Sequence, residues 1–111
     1  MKFLYLILLS LIIASCSTKV VFDPKADIET GDKIVQAINE FEKDKGHLPS
    51  ELSQIVPKYL PQIPQTTSGG KFFYHLSDLE GGFTLCFSDS HINRGCCFLP
   101  KYQLWDCSPG E

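Results

Sequence analysis

The residues of this chain with reactive chemistry to offer are its thiols and imidazoles. Five cysteines (Cys16, Cys86, Cys96, Cys97 and Cys107) and three histidines (His47, His75 and His91) occur in 111 residues. A metal site is one use for them. Cys86, His91, Cys96 and Cys97 fall in a C-x4-H-x4-C-C order, which lacks the C-x2-C pairs of structural zinc sites. A Cys–His nucleophile is a second use, pairing Cys86 or Cys96 with His75 or His91. It needs a free thiolate. Disulfide formation is the third, and an oxidising compartment makes it the default. Which chemistry applies therefore depends on where the chain is delivered.

The N-terminus answers that. Lys2 precedes an apolar run from Phe3 to Ala14 broken only by Ser10. Twelve helical residues cover about 18 Å, too short for a bilayer core that needs about 20 residues. The length suits the apolar region of a signal peptide behind one positive charge. The run ends Ile13-Ala14-Ser15-Cys16, which resembles the lipobox of bacterial lipoproteins. That resemblance implies diacylglycerol on the Cys16 sulfur, cleavage before Cys16, and a membrane partner in the lipid bilayer itself. Two or more acyl chains hold such a protein stably. Ser17, where Asp would signal retention in the inner membrane, implies the outer membrane of the bacterial envelope. The chain divides into a signal peptide (1–15), a lipidated tether (16–26) and a head (27–111).

With Cys16 assigned to lipid, an even four cysteines remain, all within the last 26 residues. Exported thiols pair. Adjacent Cys96 and Cys97 point to opposite faces of a strand and do not bond each other. Two pairings stay open: Cys86–Cys96 with Cys97–Cys107, or Cys86–Cys97 with Cys96–Cys107.

Composition excludes other classes. The formal charge is −3, so there is no basic surface to neutralise nucleic-acid phosphates. Apolar residues at 43% and aromatics at 12% are too many for a disordered chain. The length allows one domain.

The elements follow from periodicity. Ser17 to Lys25 reads as a polar tether carrying Val20, Val21 and Phe22; its nine residues reach at most about 30 Å. Ile34, Val35, Ile38 and Phe41 make one apolar stripe, so a helix is expected over Asp27–Lys45, capped by Asp27 or Thr30 and ended by Gly46. Ser50 is expected to cap a short helix through Val56, stopped by Pro57. From Lys71 the period becomes two. Strands are expected at Phe72–Leu76, Phe83–Ser88 and Cys96–Leu99, with a fourth over Tyr102–Cys107. The fold class is α+β: an N-terminal amphipathic helix packed on a small antiparallel β-meander of three to four strands.

The order of short motifs also resembles a family. Ala37-Ile38, Phe41-Glu42, Gly46-His47-Leu48-Pro49, Leu52, Val56-Pro57, Tyr59-Leu60-Pro61, Ile63-Pro64, Gly69-Gly70, Phe73-Tyr74 and Gly82-Phe83-Thr84-Leu85 look like the head of type IV pilins, nearest to the major pseudopilin of type II secretion. The resemblance spans about residues 33–88. It implies a helix ended by the Gly-x-Leu-Pro turn and a Tyr-Leu-Pro-x-Ile-Pro crossing to the sheet. The prepilin peptidase site and long apolar helix of that family are missing, so filament assembly is not implied. Some such heads bind calcium in a late loop, for which Asp89 and Asn93, with His91, Asp78 and Glu80 nearby, are the candidates. EF-hand spacing is absent there, and the stretch reads as a polar turn.

No Ser/His/Asp order, phosphate loop or H-E-x-x-H helix occurs. No cofactor and no enzymatic activity are expected. His47 reads as a helix-end residue, His75 as a sheet-face residue and Trp105 as packing. The expectation is a lipid-anchored envelope protein whose head binds another envelope protein, with no nucleic acid involved. The other reading is an inhibitor of an enzyme such as a cell-wall hydrolase, presenting the loop Asp89–Arg94 to the enzyme's cleft.

Overall fold

The computed structural model describes residues 23–78, 82–89 and 94–109. The lipobox and tether residues 13–22 lie outside the described residues.

Helix α1 runs Pro24–Lys45, three residues earlier at its start than the stripe predicts. Asp23 is the cap: its carboxylate accepts the Ala26 N–H at 3.2 Å. Pro24 occupies the first helical position, where its missing N–H costs nothing and its fixed φ is already helical. Neither expected cap acts as one. The Thr30 hydroxyl donates to the Ala26 carbonyl at 3.2 Å inside the helix, and Asp27 turns into the interior. The other end is as expected. Gly46 takes a left-handed φ of 80° and its N–H returns to the Glu42 carbonyl at 2.8 Å, while Lys43 and Lys45 sit in the last turn near its negative dipole end.

A 3-10 turn spans Leu52–Ile55, where an α-helical segment to Val56 is expected. Its cap position is Glu51, with no side-chain bond. Ser50 instead donates its backbone N–H to the Gln54 side chain at 2.8 Å. The Val56–Pro57 peptide bond is cis.

Four strands follow: β1 (Phe72–Ser77), β2 (Gly82–Asp89), β3 (Arg94–Leu99) and β4 (Leu104–Pro109). They form one antiparallel sheet in the order β1-β2-β3-β4. The last strand starts later than expected because Tyr102 and Gln103 close the turn, their N–H groups donating to Leu99 and Pro100 carbonyls at 3.1 and 3.3 Å.

Alternation sorts the side chains. Phe83, Leu85, Phe87, Cys96 and Phe98 are buried on the side facing α1, where they meet Ile34, Val35, Ala37, Ile38 and Phe41. Ile55 and Phe72 complete this core. Two further contacts seat the helix. The space a Cβ on Gly31 would fill is taken by the Trp105 ring, 2.5 Å from that position. The Trp105 indole N–H donates to the Asp32 carboxylate at 2.8 Å. Trp105 also lies against Phe87 and Phe98, with ring centroids at 5.7 and 5.4 Å.

Candidate functional site

The four late cysteines choose the second of the two open pairings. Cys86 is bonded to Cys97, and Cys96 to Cys107. Register explains it. Cys86 is directly opposite Cys97, and Cys96 directly opposite Cys107. The Cα separations of 4.1 and 4.0 Å match the close, non-hydrogen-bonded class of antiparallel pair, where Cβ atoms converge. Backbone groups of successive strand residues alternate between neighbours, so Cys97 is close to β2 where Cys96 is close to β4. One staple therefore lies on each face of β3.

The Cys86–Cys97 bond belongs to the sheet face turned away from α1. That face carries Phe73, His75, Ser88, Leu104 and Asp106, all exposed. Phe73 is 55% and Leu104 47% accessible. Phe73 is paired with Cys86, and Asp106 with Cys97. Between them is a shallow hollow of about 280 Å³ that also reaches Ser88 and Gly95. Thr84, central on the same face, is buried. The result is a broad surface with one exposed aromatic and one carboxylate on a covalently braced sheet.

The helix N-terminus holds a second polar arrangement. Asp27 is 1% exposed. Its two oxygens accept the Thr67 N–H at 2.7 Å and the Thr67 hydroxyl at 2.9 Å. The same hydroxyl oxygen accepts the Asp23 N–H at 2.9 Å. The turn behind it is tied by Thr66, whose N–H donates to the Gly70 carbonyl at 3.1 Å and whose hydroxyl accepts the Gly70 N–H at 2.8 Å. This clamp joins the start of the helix to the chain entering β1. Every oxygen of Asp27 is used structurally.

Two tyrosines lock the crossing segment. Tyr74 donates to the Pro49 carbonyl at 2.6 Å; burial, with help from the Glu42 charge, pushes its phenol up to about 12. Tyr59 donates to the Asp44 carboxylate at 2.7 Å. That bond, joined by Lys58 at 3.5 Å, holds the Asp44 carboxyl below its ordinary value; the same bond and the Asp44 charge hold the Tyr59 phenol above its own, against an opposing effect of Lys58.

The remaining candidates are described only in part. Asp89 is buried at the end of β2. Asn93 and His91 lie outside the described residues, as do Glu80 and most of the expected inhibitory loop. Among the described residues, no group of three or more His, Cys, Asp or Glu side chains gathers to hold a metal. His47 sits just past the helix end in an edge-to-face pair with Phe41, centroids 5.7 Å apart. His75 is exposed on β1. The Asp27–Thr67 clamp has no signal in the sequence, whereas the alternation of Phe73 and His75 against Phe72 and Tyr74 marks the half-exposed strand Phe72–Leu76 as a surface for another protein.

The chain matches no protein family, no curated protein and no solved structure.

Proposed function

We propose that this is a lipid-anchored protein of the bacterial cell envelope whose pseudopilin-like head is a non-enzymatic binding or structural module. The Ile13-Ala14-Ser15-Cys16 signal supports the anchor, with lipid on Cys16 and the outer membrane as the address. A helix followed by an antiparallel meander is the element order of a pilin head and supports that comparison. The observation that carries the binding role is the uncovered sheet face bearing Phe73 and Leu104 over the Cys86–Cys97 staple. Exposed aromatics on a rigid support make inexpensive contacts, since little side-chain or backbone freedom is lost on binding. The partner is another envelope protein, with a secretion or pilus machine as the place to look.

The test has two arms. Intact mass of protein purified from membranes should show a chain beginning at Cys16, several hundred daltons heavier than its residues. Cys16→Ser should release the head into the soluble fraction. A photo-crosslinker at Phe73 should then capture an envelope protein in cells, whereas one at Lys33 on the exposed side of α1 should not. An unmodified Cys16 overturns the anchor. Equal capture from both positions, with an unchanged set of exported proteins on deletion, overturns the binding role.

A further inference from the structure

The two outer strands of the sheet present different edges. In β4, Asp106 is charged and exposed, and Pro109, in phase with the outward-turned Cys107, has no N–H to offer. Charges and prolines are the usual guards of an edge strand. Strand β1 has neither in Phe72-Phe73-Tyr74-His75-Leu76-Ser77, a run rich in aromatic residues that favour strands. Among the described residues, no strand pairs with its outer side.

Register shows what that edge presents. The close Cys86–Cys97 pair turns the Cys86 backbone groups toward β1. Phe73 lies opposite Cys86 and faces those groups, so the N–H and C=O of Phe72, Tyr74 and Leu76 point outward. Gly70 shares their phase, and its groups are occupied: the N–H donates to the Thr66 hydroxyl at 2.8 Å, and the carbonyl accepts the Thr66 N–H at 3.1 Å. The open stretch of edge therefore begins at Phe72. Leu76, at its other end, is 51% exposed and lies on the α1 side, opposite Phe83. Beside Phe72 is a mainly apolar groove of about 300 Å³ walled by Leu52 and Ile63. Exposed charges of opposite sign, Lys71 and Asp78, flank the strand.

We propose that β1 pairs antiparallel with β1 of a second copy about a two-fold axis at Tyr74, joining two four-stranded sheets into one. This register uses all the outward residues, with Tyr74 facing its own counterpart and Phe72 facing Leu76. About six main-chain hydrogen bonds result. At one bond per about 100–200 Å² they correspond to about 600–1,200 Å², the size of a weak, reversible interface. The side chains fit the same register. Leu76 of each copy meets the other's groove beside Phe72. Exposed Phe73 falls opposite His75, an aromatic cross-strand pair. Lys71 of each copy comes within reach of Asp78 of the other, whereas an in-register parallel pair would set lysine against lysine. Each contact is made twice, as a closed two-fold dimer requires. The pairing depends on neither the lipid anchor nor the binding role of the display face.

Full-length protein purified from membranes in detergent tests this, by sedimentation with the detergent density-matched and by a photo-crosslinker at Leu76 in mixed isotope-labelled and unlabelled chains. A concentration-dependent dimer is expected, with mixed-isotope crosslinks from Leu76 to peptides holding Leu52 or Ile63. Leu76→Lys, which brings an ammonium to an apolar groove, should weaken pairing by at least about tenfold, with circular dichroism confirming an intact fold. Lys71→Asp and Asp78→Lys should each weaken it about fivefold, and the double variant should restore it. A chain that stays monomeric at millimolar concentration, association indifferent to Leu76→Lys, charge reversals that the double variant does not rescue, or a Leu76 probe that captures only a different protein overturns the proposal. A Phe73 probe that captures only a second copy supports this pairing and removes the display-face role, so either reading can fail alone.

Discussion

Gly31→Ala sets two calculable effects against each other. In an isolated helix alanine is favoured over glycine by about 1 kcal/mol. Here the new methyl would sit 2.5 Å from two carbons of the Trp105 ring and 3.3 Å from Phe72. Neither neighbour can yield freely, because Trp105 is held by Asp32 and packed on Phe87 and Phe98. Overpacking of this kind costs about 1–3 kcal/mol. Displacing the indole forfeits two aromatic contacts worth about 0.5–1.5 kcal/mol each and a hydrogen bond worth about 1 kcal/mol. The losses exceed the gain, and the expected net destabilisation is about 2 kcal/mol, or roughly 10 °C in Tm for a domain of this size. Trp105 is the single tryptophan, so its fluorescence reads the geometry directly while urea titration reads the stability. A red-shifted emission should accompany the loss. Asp32→Ala, which removes the bond without the clash, should cost less. A Gly31→Ala protein as stable as wild type with unshifted emission would refute the claim that the glycine exists to admit the indole.

Three other outcomes are expected. Asp27→Ala strands the Thr67 N–H and should cost about 2–3 kcal/mol in urea unfolding, whereas Asp23→Ala, at an exposed cap, should cost about 1 kcal/mol. Replacing either disulfide by a pair of serines reopens a loop with a sequence separation of 11 and should cost about 3 kcal/mol, with a larger loss for Cys96–Cys107, whose Cys96 is in the core. Tyr74 binds its proton more tightly folded than unfolded, so its contribution is complete below pH about 10 and declines as pH rises toward 12. The slope in chemical denaturation should be below about 1.4 kcal/mol per pH unit, because solvent screens a partly exposed ring, and Tyr74→Phe should flatten it.

The parts of this fold legible in the sequence are those set by local periodicity. The stripe through Ile34, Ile38 and Phe41 marks the buried side of α1, and the alternation around Phe72–Leu76 and Phe83–Phe87 marks β1 and β2. Gly46 ends the helix because only a left-handed residue closes it cheaply. The helix starts ahead of the expected Asp27 although the signal is in the sequence: Asp23-Pro24 is a cap followed by a first-turn proline, and proline also punctuates loops. The late features are long-range. Asp27 meets Thr67 forty residues on, and Trp105 meets Asp32 across 73; no local pattern encodes such pairs. The disulfides lie between these cases. Opposite faces of one strand reduce three pairings to two, and only the β2–β3 and β3–β4 registers decide between them.

The placement of those bridges on both faces of β3 has a mechanical consequence. Cys96 and Cys97 are covalent neighbours, so the two bonds join into a shortcut from Cys86 to Cys107. Stretched as an open chain, those residues would reach roughly 70 Å. Through the sulfurs, the path between the same two Cα atoms is roughly 12 Å. A pull applied at the C-terminal end is therefore carried to β2 without passing through the hydrogen-bond ladder, and the last strands cannot be peeled away one at a time. Only a reductant lengthens this part of the molecule.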